Sequence, residues 1–124
     1  MSMPRSLGEF EQLVLLALVA LPPTDCYGVP IREMIGRRTG RALSTGAVYT
    51  ALERLTARGL AGSELGEPTA ERGGRRKRMY WLEAAGAREL SRSVRTLQVM
   101  SEGLLPQLEL LVAGSTPRSR RKGR

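Results

Sequence analysis

A chain of 124 residues, 41% hydrophobic and 26% charged, is long enough for one domain that buries roughly two thirds of its unfolded surface and too short for two large ones. It has no histidine and a single cysteine, Cys26, which excludes imidazole acid–base chemistry, Cys/His metal sites and internal disulfides; a reducing cytoplasm fits, and no metal or cofactor is expected. The formal charge of +8 is concentrated: residues 66–78 carry Arg72, Arg75, Arg76, Lys77 and Arg78 against Glu67 and Glu71, residues 114–124 carry Arg118, Arg120, Arg121, Lys122 and Arg124 with no acid, and the remainder is neutral.

The first predicted helix runs from Leu7 to Leu21, with Phe10, Leu13, Val14, Ala17 and Leu21 on one face. Leu15, Leu16, Leu18 and Val19 fill its other faces, so it has to be covered all round. Its apolar run, Leu13 to Leu21, is too short to span a bilayer, and Glu9 and Glu11 precede it where a signal peptide carries positive charge, so no membrane partner is expected. Pro22 and Pro23 end it.

A second helix is expected after Asp25 as N-cap, with Pro30 in its first turn, a buried stripe of Ile31, Met34 and Ile35, and Gly40 beyond its end. Arg32, Arg37 and Arg38 lie on its polar side. Ser44 is a good N-cap for a third helix with apolar stripe Val48, Leu52 and Leu55 and with Gly59 as stop. Two short helices joined by so few residues read as a helix-turn-helix, whose second helix fits a DNA major groove.

Leu60 to Leu65 and Arg78 to Leu82 read as two short strands, with Tyr80 and Leu82 on one side of the second and Met79 and Trp81 on the other. The Gly-rich, charged stretch between them, GEPTAERGGRRK, is then a wing. From Ala84 to about Val112, Leu90, Leu97, Leu104 and Leu111 recur every seventh residue, with Val94, Ser101 and Leu108 between them, a heptad seam. Gly103 and Pro106 predict a kink or a break near Glu102. Residues beyond Ala113 read as a disordered basic tail.

Function follows from placement. The first turn of the third helix (Ser44, Thr45, Gly46) offers free amides and hydroxyls to phosphate, and Tyr49, Thr50 and Arg54 project towards base edges or phosphates. The competing reading has Tyr49 as half-buried packing and Arg54 paired with Glu53 or water; a helix-turn-helix followed by a basic wing tips the balance to DNA. In the wing, Gly73 and Gly74 form a flexible tip ahead of Arg75, Arg76 and Lys77, and with Arg72 and Arg78 these suit a DNA backbone or minor groove. The seam either packs on the first helix of its own chain or joins two chains. Its apolar excess, together with that of the first helix, favours a homodimer through Leu13, Leu16, Leu90, Val94, Leu97, Leu104, Leu108 and Leu111. Trp81 and Cys26 read as core and receive no role.

These residues resemble a known family. The run SxGAVYxxLxxLxxxGL from Ser44 to Leu60, the pair Tyr27–Gly28 and the segment RRKRMYWLEAAG from Arg75 to Gly86 are together similar to the PadR family of bacterial transcriptional regulators. The resemblance implies a winged helix-turn-helix with a C-terminal dimerisation helix, usually repressing an operator and often released by a small-molecule effector. Ser44, Thr45, Tyr49 and Arg54 match its recognition helix, Lys77 and Arg78 its basic wing strand, and Tyr80 and Leu82 its Y-x-L signature. Met79 stands where a second aromatic is common, and Glu83 replaces a capping Thr, so the last helix is expected to begin late or fray. The single C-terminal helical segment resembles the family's short branch, without a large effector domain.

The fold expected is mainly α with a small β-hairpin wing: residues 1–82 a winged helix-turn-helix DNA-binding domain, 83–113 a C-terminal dimerisation helix, 114–124 a basic tail. The function expected is a cytoplasmic, homodimeric, sequence-specific DNA-binding regulator, a repressor by resemblance, whose partners are double-stranded operator DNA, a second copy and, if one exists, a small-molecule effector. The alternative is a winged-helix module that binds protein or RNA without a specific operator. No acid pair, no nucleophile with a base and no metal cluster points to an enzyme.

Overall fold

The computed structural model describes residues 6–67 and 76–114. Arg72, Arg75 and residues 115–124 of the basic tail lie outside the described residues, whereas Gly114 ends the last helix. The chain divides into two compact units, Met1–Ser93 and Val94–Arg124.

In the first unit, α1 spans Glu9–Ala20. The Gly8 amide donates to Glu11 Oε1 at 3.0 Å, satisfying one of the donors a helix start leaves open. Val14, Leu15, Ala17 and Leu18 are buried, whereas Leu16 and Val19 are 41% and 61% exposed. The buried stripe is therefore rotated from the expected one: Leu15 and Leu18 face inward, and Phe10, Leu13 and Leu21 are only half-buried. Within the single chain α1 is covered on one side, by the helical core.

Asp25 does not cap α2. It belongs to a one-turn 3-10 helix, Pro23–Asp25, in which its amide donates to the Pro22 carbonyl at 2.8 Å and its carbonyl accepts from Tyr27 N at 2.9 Å. That extra turn delays α2, which spans Gly28–Thr39 with Tyr27 as an N-cap making no side-chain bond. Ile31 and Ile35 are buried, Met34 half-buried, and Gly40 ends the helix at φ +76°, a conformation glycine adopts without steric cost.

The third helix, α3, spans Thr45–Ala57. Ser44 caps it as expected, its Oγ accepting from Ala47 N at 3.0 Å. Val48, Ala51, Leu52 and Leu55 point inward. Gly59 turns the chain while Leu60 N donates to Leu55 O at 2.9 Å, closing the last turn on carbonyls that would otherwise lack partners. The core is Val14 and Leu15 of α1, Ile31 of α2, and Val48, Leu52 and Leu55 of α3, all fully buried; each stabilises the fold by about 1.5–3 kcal/mol relative to exposure.

Strands β1 (Ala61–Leu65) and β2 (Arg78–Leu82) form a two-stranded antiparallel sheet with Ser63 opposite Tyr80 and Gly62 opposite Trp81. Tyr80 is buried. Trp81, expected in the core, is 41% exposed: it lies on the outer face over Gly62, its indole N–H donating to Glu83 Oε2 at 2.9 Å. Its odd register relative to Tyr80 puts it there, since successive strand residues alternate faces.

Helix α4 spans Ala84–Ser101. The glutamate at position 83 does not delay it, because Ala87 N still reaches Glu83 O at 2.9 Å and Glu83 N bonds Leu60 O at 3.0 Å. Of this helix Gly86 and Leu90 are buried. The expected break follows: Glu102, Gly103 and Leu104 form a turn with Gly103 at φ +76°, and α5 spans Leu105–Gly114. Leu104 thus sits in the turn, and the heptad positions do not lie along one continuous helix. Pro106 falls in the first turn of α5, where its missing donor is not needed. Leu97, Leu105, Leu108, Leu110, Leu111 and Val112 are each more than half exposed. No described helix is long and apolar enough to cross a membrane.

Candidate nucleic-acid interface

The exposed surface of α3 is built by its N-cap and its stripe. With Val48, Leu52 and Leu55 locked into the core, the 3.6-residue period leaves Gly46, Thr50 and Arg54 on the outer surface. Ser44, Gly46, Thr50 and Arg54 are exposed, and Thr45 is half-buried. Arg54 makes no ion pair among the described residues, so its guanidinium is not spent on Glu53. Thr50 and Arg54 border an open groove of about 670 Å³ between the start of α1 and α3. The arginines flanking α3 are engaged instead: Arg41 contacts Glu9 at 2.7 Å and Arg58 contacts Glu11 at 3.5 Å.

Tyr49 is half-buried, and the packing reading holds for its ring. The ring lies against the backbone of Gly28, where a methyl group would come within 2.5 Å of its Oη. Side-chain bulk is excluded from Gly28 because Tyr49 occupies that space. Tyr80 lies close by: burial above all pushes its phenol above the ordinary tyrosine range, Arg78 lowers it, and Glu53 and Tyr49 raise it further.

The described base of the wing is held by hydrogen bonds. Gly66 N donates to Lys77 O, extending the hairpin by a pair beyond the strands. Arg76 Nε donates to Gly66 O at 2.9 Å, and Arg78 Nη1 donates to Ser63 Oγ at 3.1 Å. The Lys77 ammonium stands 4.8 Å from the centroid of the Tyr27 ring, a cation–π distance. The sheet is tied to the helix-turn-helix by Tyr80 N donating to Cys26 O at 2.9 Å. Cys26 is buried, its Sγ 3.5–3.8 Å from the Leu18, Leu21 and Pro22 carbonyls, and burial, with a smaller effect of Asp25, pushes its thiol above the ordinary range.

The first unit thus brings Ser44, Thr45, Gly46, Tyr49, Thr50 and Arg54 onto one helix, and places Arg76, Lys77 and Arg78 on the hairpin tied to that helix-turn-helix. The sequence analysis names Tyr27 and Gly28 only within the family resemblance, and their packing against Lys77 and Tyr49 is seen only in the fold. A glycine at the first position of a helix is the available signal, since it marks a close approach by another group.

The family model described as "Transcriptional regulator PadR-like family" matches residues 15–92. No curated protein sequence matches the chain. Among solved structures, the chain is similar to a PadR family transcription regulator from hypervirulent Clostridium difficile R20291, with 24% identity, a TM-score of 0.64, and 82% of this chain and 99% of that one covered. It is also similar to a PadR-like transcription factor from Bacteroides fragilis, at 21% identity and TM-score 0.63, covering 78% and 87%. Bacillus subtilis PadR, solved in complex with operator DNA, matches at 20% identity and TM-score 0.58 over 70% of this chain and 48% of that one.

Proposed function

The chain belongs to the PadR-like family of transcriptional regulators, and from that premise we propose that it is a homodimeric, sequence-specific DNA-binding repressor acting in the cytoplasm. Family membership makes it a transcriptional regulator and not an enzyme. The finer reading rests on one observation above all: α3 exposes a hydroxyl-lined first turn and an Arg54 without an ionic partner among the described residues, beside a wing base bearing Arg76, Lys77 and Arg78. In this reading α3 enters a major groove, with Ser44, Thr45 and Gly46 on phosphate and Thr50 and Arg54 on base edges. Tyr49, its ring packed on Gly28, contributes through its edge. The wing, including Arg72 and Arg75, holds flanking backbone. The fold neighbour bound to operator DNA is consistent with this arrangement.

Dimerisation belongs to the same proposal. In the first unit Leu16 is exposed and Leu13 half-buried, and in the second Leu97, Leu108 and Leu111 are exposed and Val94 half-buried; a second copy is the cover proposed for these apolar side chains. Leu90 is buried within the chain, so its part in the interface is to hold the base of α4. Leu104 joins from the turn. We assign residues 1–82 to DNA reading, 83–113 to dimerisation and 114–124 to a basic tail, with release by a small-molecule effector as the form of regulation.

The test is competition on duplex DNA. Fragments of the native genome, beginning with the chain's own promoter region, should retain the protein on the order of a thousandfold or more above random duplex. Equal retention of all duplexes would instead favour a module without a specific operator.

A further inference from the structure

The pair Tyr27–Gly28 has no direct part in the proposed DNA contacts, yet it touches both halves of the surface that makes them. Tyr27 is rigid. Its amide donates to Asp25 O at 2.9 Å, its carbonyl accepts the first bond of α2 from Ile31 N at 3.2 Å, and the Cys26 carbonyl before it is bonded to Tyr80 N of β2. On one side its ring faces the Lys77 ammonium at 4.8 Å. On the other, the next residue is the glycine against which Tyr49 of α3 is seated. Lys77 is fixed at its backbone by Gly66, but its four-carbon side chain is otherwise free to scatter, and a cation held over an aromatic face loses much of that freedom before any ligand arrives.

We propose that Tyr27 is a positioning residue for DNA contact: its ring holds the Lys77 ammonium in the conformation that meets a phosphate, from the same turn that seats Tyr49. The role rests on the DNA-binding reading of α3 and the wing. It differs from a direct contact, because Tyr27 then acts on DNA only through Lys77.

The full-length protein, Y27F, Y27L, K77M and the Y27L/K77M double variant are compared for affinity to a random-sequence duplex across a series of salt concentrations. Y27F keeps a π face and should bind like the wild type. Y27L should bind about threefold more weakly, and K77M at least as weakly, with its salt slope reduced by about 0.9, the equivalent of one phosphate. The double variant should be no weaker than K77M. Losses that multiply in the double variant, a Y27F as weak as Y27L, or an unaffected Y27L would each overturn the role while leaving DNA binding intact. A wild type that binds no duplex would overturn the DNA reading itself and this role with it. Should Y27L fail to fold, the free wild type still decides: the Lys77 ε-methylene protons should be shifted upfield by the Tyr27 ring in NMR spectra, and an ordinary shift would overturn the proposal.

Discussion

At the scale of single residues, two glycines separate structural from functional constraint. A methyl group at Gly86 would overlap the Leu60 carbonyl and lie 2.8 Å from Leu82 Cδ1. Backbone cannot yield there, so Gly86→Ala should cost about 2–3 kcal/mol in urea denaturation. At Gly28 the obstacle is the Tyr49 ring, whose side chain can swing outward; Gly28→Ala should cost less stability than Gly86→Ala and more DNA affinity. Cys26 and Tyr80 give a pH dependence. Burial raises both groups above their ordinary values of 9.0 and 10.0, so the folded state prefers them protonated. Their contribution is full below those values and is lost as pH rises through the raised values in the fold. The urea midpoint should therefore hold steady near neutrality and fall on the alkaline side, and Cys26→Ala should remove the earlier part of that fall. Residue identity alone was a poor guide where contacts are non-local: Trp81 looks like core but its strand register turns it outward, and Tyr27 meets Lys77 across fifty positions of sequence.

At the scale of elements, α3 was the most legible part of the sequence, because cap, stripe and stop agree at Ser44, Val48–Leu52–Leu55 and Gly59. Ser44→Ala removes the cap bond to Ala47 and should cost about 1 kcal/mol of stability. The start of α2 was not legible, since Asp25 is a good cap by type but its backbone is already committed to the 3-10 turn. In the last segment the break was foreseeable from Gly103 and Pro106, whereas the displacement of Leu104 from a continuous stripe depends on the left-handed backbone at Gly103. The recognition helix and the wing should separate functionally. Arg54→Ala should change preference among duplexes. Replacing Arg76 and Lys77 together by neutral residues should weaken all duplexes alike and reduce the salt slope by about 0.9 for each phosphate no longer neutralised; an unchanged slope would remove the wing from the interface.

At the scale of the whole molecule, α1, α4 and α5 each carry exposed apolar side chains, and the proposed dimer is what covers them. Sedimentation should find a dimer at micromolar concentration, and Leu97→Glu with Leu108→Glu should shift it to monomer and weaken operator binding together. A stable folded wild-type monomer would refute the interface. The fold class and the extent of α3 were readable because they follow from local periodicity and capping. The contacts joining wing, turn and helix were not, because they follow from packing. The most direct measurement of a symmetric DNA-reading dimer is a hydroxyl-radical footprint on the genomic fragment the protein retains best. Two related protected half-sites, about 34 Å or a multiple of that apart on one face of the duplex, are expected; a single protected patch, or even protection along the whole fragment, would contradict it.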